Sequence, residues 1–252
     1  MHPPNTNLHA FTQTVQTLLT NPSHLLPHLT ISTLTSLPER DLGSHFHYST
    51  PQTPSSSQSQ SQSQSQSHPE KKRNPTIRAL ILDKDNTLCN PKTTTFTTEI
   101  LSKLHSLRSN TFTHPSSLLI VSNRAGSSPV YDHEIPALEN GLAASGLEIP
   151  VFRVPDGCEK KPFCGDEVVA WFRERGVVQN ADEIAVVGDR IGTDGLMARR
   201  MGAWSVWCRD GVWGKRAHEK RNVLEKMEVW VERYLRQNRG LIPPPPRGWS
   251  SN

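Results

Sequence analysis

The chain has 252 residues, 34% of them hydrophobic, with a mean hydropathy of −0.55 and a formal net charge of +4. That length allows one domain with extensions or two small ones, and no run approaches the roughly 20 apolar residues a membrane-crossing helix needs. Four cysteines, Cys89, Cys158, Cys164 and Cys208, none in a CxxC pair, exclude a disulfide framework and read as reduced thiols. The 20 prolines and a serine/glutamine run dilute the apolar content, so the core is concentrated in part of the chain.

Residues 1–43 open with Leu8, Phe11, Val15, Leu18 and Leu19 at the three-and-four spacing of one helical face, a predicted amphipathic helix ended by Asn21 and Pro22. A second apolar stretch runs from Leu25 through Leu37, broken by Pro27 and closed by Pro38. These pieces either dock on the domain or meet a lipid surface or a partner. Residues 44–73 turn to Ser, Gln, Pro and His, with no apolar residue from 57 to 67, and the composition predicts a disordered linker.

Within residues 74–240, short apolar runs at 77–82, 118–121, 150–154, 184–187 and 204–207 read as buried strands, separated by helix-length segments such as 97–107 and 165–174. This alternation predicts an α/β fold with a mostly parallel, five-stranded sheet and helices on both faces. Pro243 to Pro246 mark a Pro-rich tail, 241–252, and the end of folded structure. Between Arg199 and Arg239, eleven Lys/Arg outnumber five Asp/Glu, an excess of six that places the basic character at the C-terminal end. There Val223, Met227, Trp230 and Tyr234 form an apolar stripe beside Lys220, Arg221, Lys226 and Arg233. Such a stripe is expected to pack on the sheet, which leaves the uncharged N-terminal helix as the favoured interfacial element.

In folds of this kind function gathers past the carboxyl ends of the strands. The first predicted strand runs into Asp83, Lys84, Asp85, Asn86 and Thr87; the second ends in Ser122 and Asn123, with Arg124 following. Lys161 precedes Pro162 in a loop after the third, and Gly188 and Asp189 close the fourth, with Asp194 beyond. Two acids on same-side positions of an extended segment repel each other unless a cation or a proton lies between them.

The motifs DKDNT, VSN, KKP and GDRIGTD, in that order and at strand ends, resemble those of the haloacid dehalogenase superfamily of phosphotransferases. The resemblance implies a Rossmann-like fold and a set of roles. Asp83 is the nucleophile that forms an aspartyl-phosphate, and Asp85 is the general acid and base. Mg²⁺ is held by Asp83, the backbone carbonyl of Asp85 and Asp189, with Asp194 either a ligand or an orienting group. Ser122 and Asn123 hold phosphate oxygens, Thr87 either joins them or caps its turn, and Arg124 meets a second anionic group or is a loop residue. Lys161, with Lys160 the alternative, neutralises the phosphoryl group.

Thr87 and Ser122 lie 35 residues apart, Ser122 and Lys161 39, each about one βαβ repeat, which leaves no room for an inserted cap domain. An open site needs a partner, a macromolecule or a lipid assembly to close it. DKDNTL, VSNRAGS, KKP, GDRIGTD and NPSHLLPHL are further similar to the mitochondrial phosphatidylglycerophosphate phosphatases of fungi and plants, although Phe163 stands where a small residue is expected after KKP. This narrower resemblance implies an anionic phospholipid substrate, peripheral contact with the matrix side of the inner mitochondrial membrane, a place in cardiolipin biosynthesis and no nucleic-acid partner. The alternatives are a capless phosphatase acting on phosphoprotein or nucleic-acid ends, and a phosphate-binding module without turnover.

Overall fold

The computed structural model describes residues 7–49 and 74–249. Five parallel strands form one sheet in the order β1-β5-β4-β2-β3: β1 (Leu29–Ile31), β2 (Ala79–Leu82), β3 (Leu118–Ile120), β4 (Ile184–Gly188) and β5 (Trp204–Cys208). The helices are α1 (Leu8–Thr20), α2 (Thr98–Asn110), α3 (Glu134–Ala143), α4 (Gly165–Glu174), α5 (Leu196–Met201), α6 (Ala217–Lys220) and α7 (Val223–Arg233).

Because side chains alternate across a strand, β2 sends Leu80 and Leu82 to one face and Ala79 and Ile81 to the other. The first face packs on Ile100, Leu104 and Leu107 of α2 and Ile135, Leu138 and Leu142 of α3; the second packs on Val168 and Phe172 of α4 and Met197 and Met201 of α5. Burial on both faces explains why the strands read as unbroken apolar runs. The chain leaves β2 toward β3 on one side and later returns to β4 on the other. The crevice past the ends of β2 and β4 is therefore the switch point where such sheets hold ligands.

Three expectations are corrected. Residues 150–154 do not supply the fifth strand: Val151 makes a single bridge to Ile120, and Pro150 and Pro155 deprive the segment of the amide donors a longer ladder needs. The fifth strand is β1, drawn from the N-terminal segment, where Leu29 and Ile31 pair with Val206 and Cys208. Residues 44–49, assigned to the linker by composition, belong to the core, with Phe46 stacked on Trp204 at 4.8 Å and Tyr48 edge-on at 5.0 Å. The rest of the linker, 50–73, lies outside the described residues. The Pro-rich tail does not end the fold either, because the carbonyls of Pro243, Pro244 and Pro245 accept from Ser49 N, His28 Nε2 and Arg199 Nη1, and Trp249 packs on Trp204.

His28 ties these terminal pieces together. The Pro244 carbonyl can only accept, so Nε2 carries the hydrogen at 3.0 Å, and Nδ1 accepts from Ser205 N, also at 3.0 Å. Burial lowers its pKa from 6.5 to about 4. The folded chain thus prefers the neutral ring: the stability is present above pH 6.5 and is lost as pH falls from 6.5 toward 4, by up to about 3 kcal/mol. Denaturation of wild type and His28→Gln across that window should show the larger fall in wild type; parallel profiles would remove His28 from the acid sensitivity.

Candidate active site

The first and fourth motifs meet at the switch point. Asp83 follows β2 and Asp189 follows β4, while Asp194 lies in a wide π-helical turn, Ile191–Gly195, which folds back on them. One carboxylate oxygen from each of the three falls within 4.8 Å of the others, and all three residues are buried. Gly188 makes the approach possible, since a Cβ there would stand 2.2 Å from Asp194 Cγ. Asp194 Oδ2 also accepts from Arg190 N at 3.2 Å, which fixes the turn.

Lys161 enters this cluster from the loop before α4. Its Nζ, on a residue only 2% exposed, donates to Asp83 Oδ1 at 2.5 Å and to Asp194 Oδ1 at 2.6 Å. Burial opposes its charge, but Asp194 and Asp83 outweigh that and raise its pKa above the ordinary lysine value. Burial is also the largest influence on Asp83, lifting its carboxyl to about 7 with Asp194 adding to the rise and Lys161 opposing it. Asp189 is likewise raised well above the ordinary range by burial and by Asp83 and Asp194. Fully ionised, the three carboxylates would exceed the one ammonium by two charges, so this hard-oxygen donor set suits a divalent cation such as Mg²⁺.

Asp85 stands apart from that cluster. Its Oδ1 accepts from Lys92 N at 2.6 Å and lies 3.1 Å from Lys84 Nζ. Asp83, Asp85, Asn123, Lys161, Asp189 and Asp194 line one cavity, whereas Thr87, Ser122, Arg124 and Lys160 do not. Ser122 is buried beside it, and its Oγ accepts from Arg124 N at 3.0 Å. Thr87 is buried, and its Oγ1 has no hydrogen-bond partner among the described residues. Arg124 turns to Glu134, to whose Oε1 its Nε and Nη2 donate at 3.0 and 2.5 Å.

Several positioning residues were not foreseen. Lys84, fully buried, points to the opposite face from Asp83 and donates to Glu134 Oε2 at 2.8 Å and to the Thr93 carbonyl at 3.1 Å. Glu134 thus gathers Lys84 and Arg124 behind the site. Asn86 Nδ2 donates to Asp189 Oδ2 at 2.8 Å. Arg190 Nε and Gly192 N donate to Glu228 of α7 at 3.1 and 3.0 Å, so the acidic turn is held from a helix 36 residues downstream of Gly192. The signal for Glu228 was an acid sharing a helical face with Leu224, Val231 and Leu235; that for Lys84 was its place between two acids at a strand end.

Helices α1 and α7 flank the cavity. Asn7 Nδ2 donates to the Lys161 carbonyl at 2.5 Å, His9 stacks on Phe163 at 4.2 Å, and Thr14 Oγ1 lies 3.2 Å from the Gly192 carbonyl. The large side chain after KKP is therefore a platform for α1. The C-terminal stripe does not pack on the sheet: Val223, Met227, Trp230 and Tyr234 are exposed, because α7 spends its inner face on Glu228 and the groove side chains. Leu8, Phe11, Val15 and Leu19 of α1 are exposed as well. No described helix is long and apolar enough to cross a membrane.

Residues 8–213 match the family described as mitochondrial PGP phosphatase. The chain is 39% identical over 160 residues to "Phosphatidylglycerophosphatase GEP4, mitochondrial" of Saccharomyces cerevisiae, covering 64% of this chain and 79% of that protein. It is 28% identical over 240 residues to "Probable phosphatidylglycerophosphatase, mitochondrial" of Schizosaccharomyces pombe, covering 94% of each. Among solved structures, a Listeria monocytogenes protein of uncharacterised role superposes with a TM-score of 0.39 at 16% identity, over 52% of this chain and 78% of that one. With the match spanning the N-terminal helix, the sheet and all four motifs, the chain belongs to the mitochondrial PGP phosphatase family.

Proposed function

We propose that this protein is a Mg²⁺-dependent phosphatase that converts phosphatidylglycerophosphate to phosphatidylglycerol through an aspartyl-phosphate, as a step of cardiolipin biosynthesis at the matrix face of the inner mitochondrial membrane. The observation that carries the reading is a buried strand-end carboxylate, Asp83, bonded to Lys161 and sharing one cavity with Asp85 and Asn123. The names of the two yeast relatives support the substrate and the compartment.

In this mechanism an Asp83 oxygen attacks phosphorus as the bond to the glycerol oxygen breaks, and Asp85 gives its proton to that leaving oxygen. Asp85 then takes a proton from water, whose oxygen attacks phosphorus and breaks the bond to Asp83, releasing inorganic phosphate. Lys84 and Lys92 N hold only Oδ1 of Asp85, which leaves Oδ2 to carry the proton. Lys161 offsets charge on Asp83 and on the phosphoryl oxygens, and the Ser122 hydroxyl, already accepting from Arg124 N, keeps its hydrogen for a phosphate oxygen. Asp83, Asp189 and the Asp85 carbonyl, with Asp194 beside them, would hold Mg²⁺, which when bound would supply electrostatic stabilisation of the phosphoryl group.

Purified protein with Mg²⁺ should release phosphate from phosphatidylglycerophosphate in mixed micelles far faster than from phosphopeptides, and chelator should abolish release; preference for the phosphopeptide would replace the lipid reading. Membrane contact is assigned to the exposed apolar side chains of α1 and α7, next to Lys220, Lys226 and Arg233. Deleting α1 would also remove its contacts with Lys161 and Gly192, so the cleaner probe is at its outer surface. Leu19→Glu or Trp230→Glu should reduce sedimentation with vesicles containing anionic lipid; unchanged sedimentation would place the contact elsewhere.

A further inference from the structure

The groove between α1 and α7 has a volume of about 650 Å³, within the ~300–1,000 Å³ typical of small-molecule sites. We propose that it binds an acyl chain of the lipid whose phosphate reaches Asp83, so that the substrate is drawn partly out of the bilayer before it reacts. This inference rests on the phosphatase reading above and adds a binding site for the apolar end of the substrate.

Both walls are fastened to the catalytic loops. Asn7, at the start of α1, holds the Lys161 carbonyl, and Thr14, two turns on, meets the Gly192 carbonyl. Glu228 fastens α7 to Gly192 N and Arg190. The space between the helices is therefore continuous with the cavity that holds Asp83, Asp85 and Lys161.

The lining decides the occupant. Phe11, Val15 and Leu18 face Met227, Val231 and Leu235 across the groove. Three glutamates on its border are already engaged, Glu228 by Arg190 at 3.1 Å, Glu232 by Arg236 at 2.6 Å and Glu225 by Asn222 N at 3.1 Å and Asn222 Nδ2 at 2.6 Å. A peptide or a nucleic-acid strand continuing from its phosphate along these walls would leave polar groups unpaired, at a cost a hydrocarbon chain does not incur. The exposed Leu19, Val223 and Trp230 continue the apolar surface outward, where the remainder of a lipid would stay in the bilayer.

The test uses dibutanoyl, dihexanoyl and dioctanoyl phosphatidylglycerophosphate below their critical micelle concentrations, with p-nitrophenyl phosphate as the chainless substrate. Each methylene sheltered in the groove should raise kcat/KM about three- to fourfold, and Val231→Trp, which fills the groove, should flatten that dependence. In a measurement independent of turnover, monomeric dioctanoyl phosphatidylglycerol should bind wild type at least tenfold more tightly than Val231→Trp. Equal affinity, or a flat chain-length series with p-nitrophenyl phosphate still hydrolysed, would overturn the groove and leave the phosphatase standing. A flat series with a fall in assembly mass in Val231→Trp would instead assign the groove to a second copy of the chain. Failure to hydrolyse any phosphomonoester would overturn the phosphatase reading, and the binding comparison would still decide the groove.

Discussion

Asp83→Asn should lower phosphate release by about 10⁴-fold or more, equivalent to over ~5 kcal/mol of transition-state stabilisation. The amide oxygen keeps the shape of the carboxylate but is a far weaker nucleophile, so an enzyme reacting through this residue has no second route. Folding should not suffer. Burial raises the Asp83 carboxyl to about 7, above its unfolded value of 3.8, so its ionisation progressively destabilises the metal-free fold as pH rises from 3.8 through 7. In chelator at pH 8 the variant should melt no lower than wild type. Wild-type release in saturating Mg²⁺ would show that the nucleophile lies elsewhere.

Lys161→Ala should lose about 10²- to 10³-fold in kcat, the usual consequence of removing one preorganised charge from a reacting centre. Unlike Asp83→Asn it should also weaken the fold, because Asp83 and Asp194 are left buried around a missing ammonium. Breaking such a pair costs about 3–5 kcal/mol. The loss should be largest in chelator and partly recovered by Mg²⁺, because ligand binding to the folded chain offsets it. Thermal melts of the variant with and without Mg²⁺ check this. A Lys160→Ala variant with the larger kcat defect would move the role to the neighbouring lysine.

The contrast between these two variants follows from what was legible in the sequence. Asp83, Asp85 and Asp189 sit within a few positions of strand ends, and the apolar runs of β2 and β4 locate those ends without knowledge of the tertiary fold, whereas Lys161, in the loop before α4, was legible only through its KKP motif. Everything that depends on contacts far apart in the chain was not legible. A strand as short as Leu29–Ile31 carries no period of its own and is specified by its pairing with Val206 and Cys208. Phe46 and Tyr48 adjoin a segment rich in Ser and Gln, and only the partner ring of Trp204, more than 150 residues later, makes them core. Residues 150–154 have the opposite character: their apolar run satisfies strand propensity, but flanking prolines limit the ladder to one bridge.

The site shows the same division. Asp83 and Asp189 were readable because adjacent strands carry them, while Glu228 and Asn7 reach the site from the two ends of the chain. The motif spacing leaves no room for an inserted cap, but it does not disclose that α1 and α7 flank the site. Apolar periodicity identified both helices but did not fix the outward face of each: the α7 stripe, expected to pack on the sheet, is exposed. On α7 that choice is set by Glu228, whose bonds to Arg190 and Gly192 fix the helix rotation and leave Trp230 and Val223 in solvent.

The most direct measurement is a rapid acid quench of wild-type protein turning over phosphatidylglycerophosphate labelled with ³²P in its terminal phosphate, followed by peptide mapping. The label should appear within the first turnover as an acid-stable, hydroxylamine-sensitive adduct on the peptide carrying Asp83, and should be absent from Asp83→Asn. Full turnover of the lipid with no protein-bound label at any quench time, or with label on another residue, would contradict Asp83 as the group that attacks phosphorus.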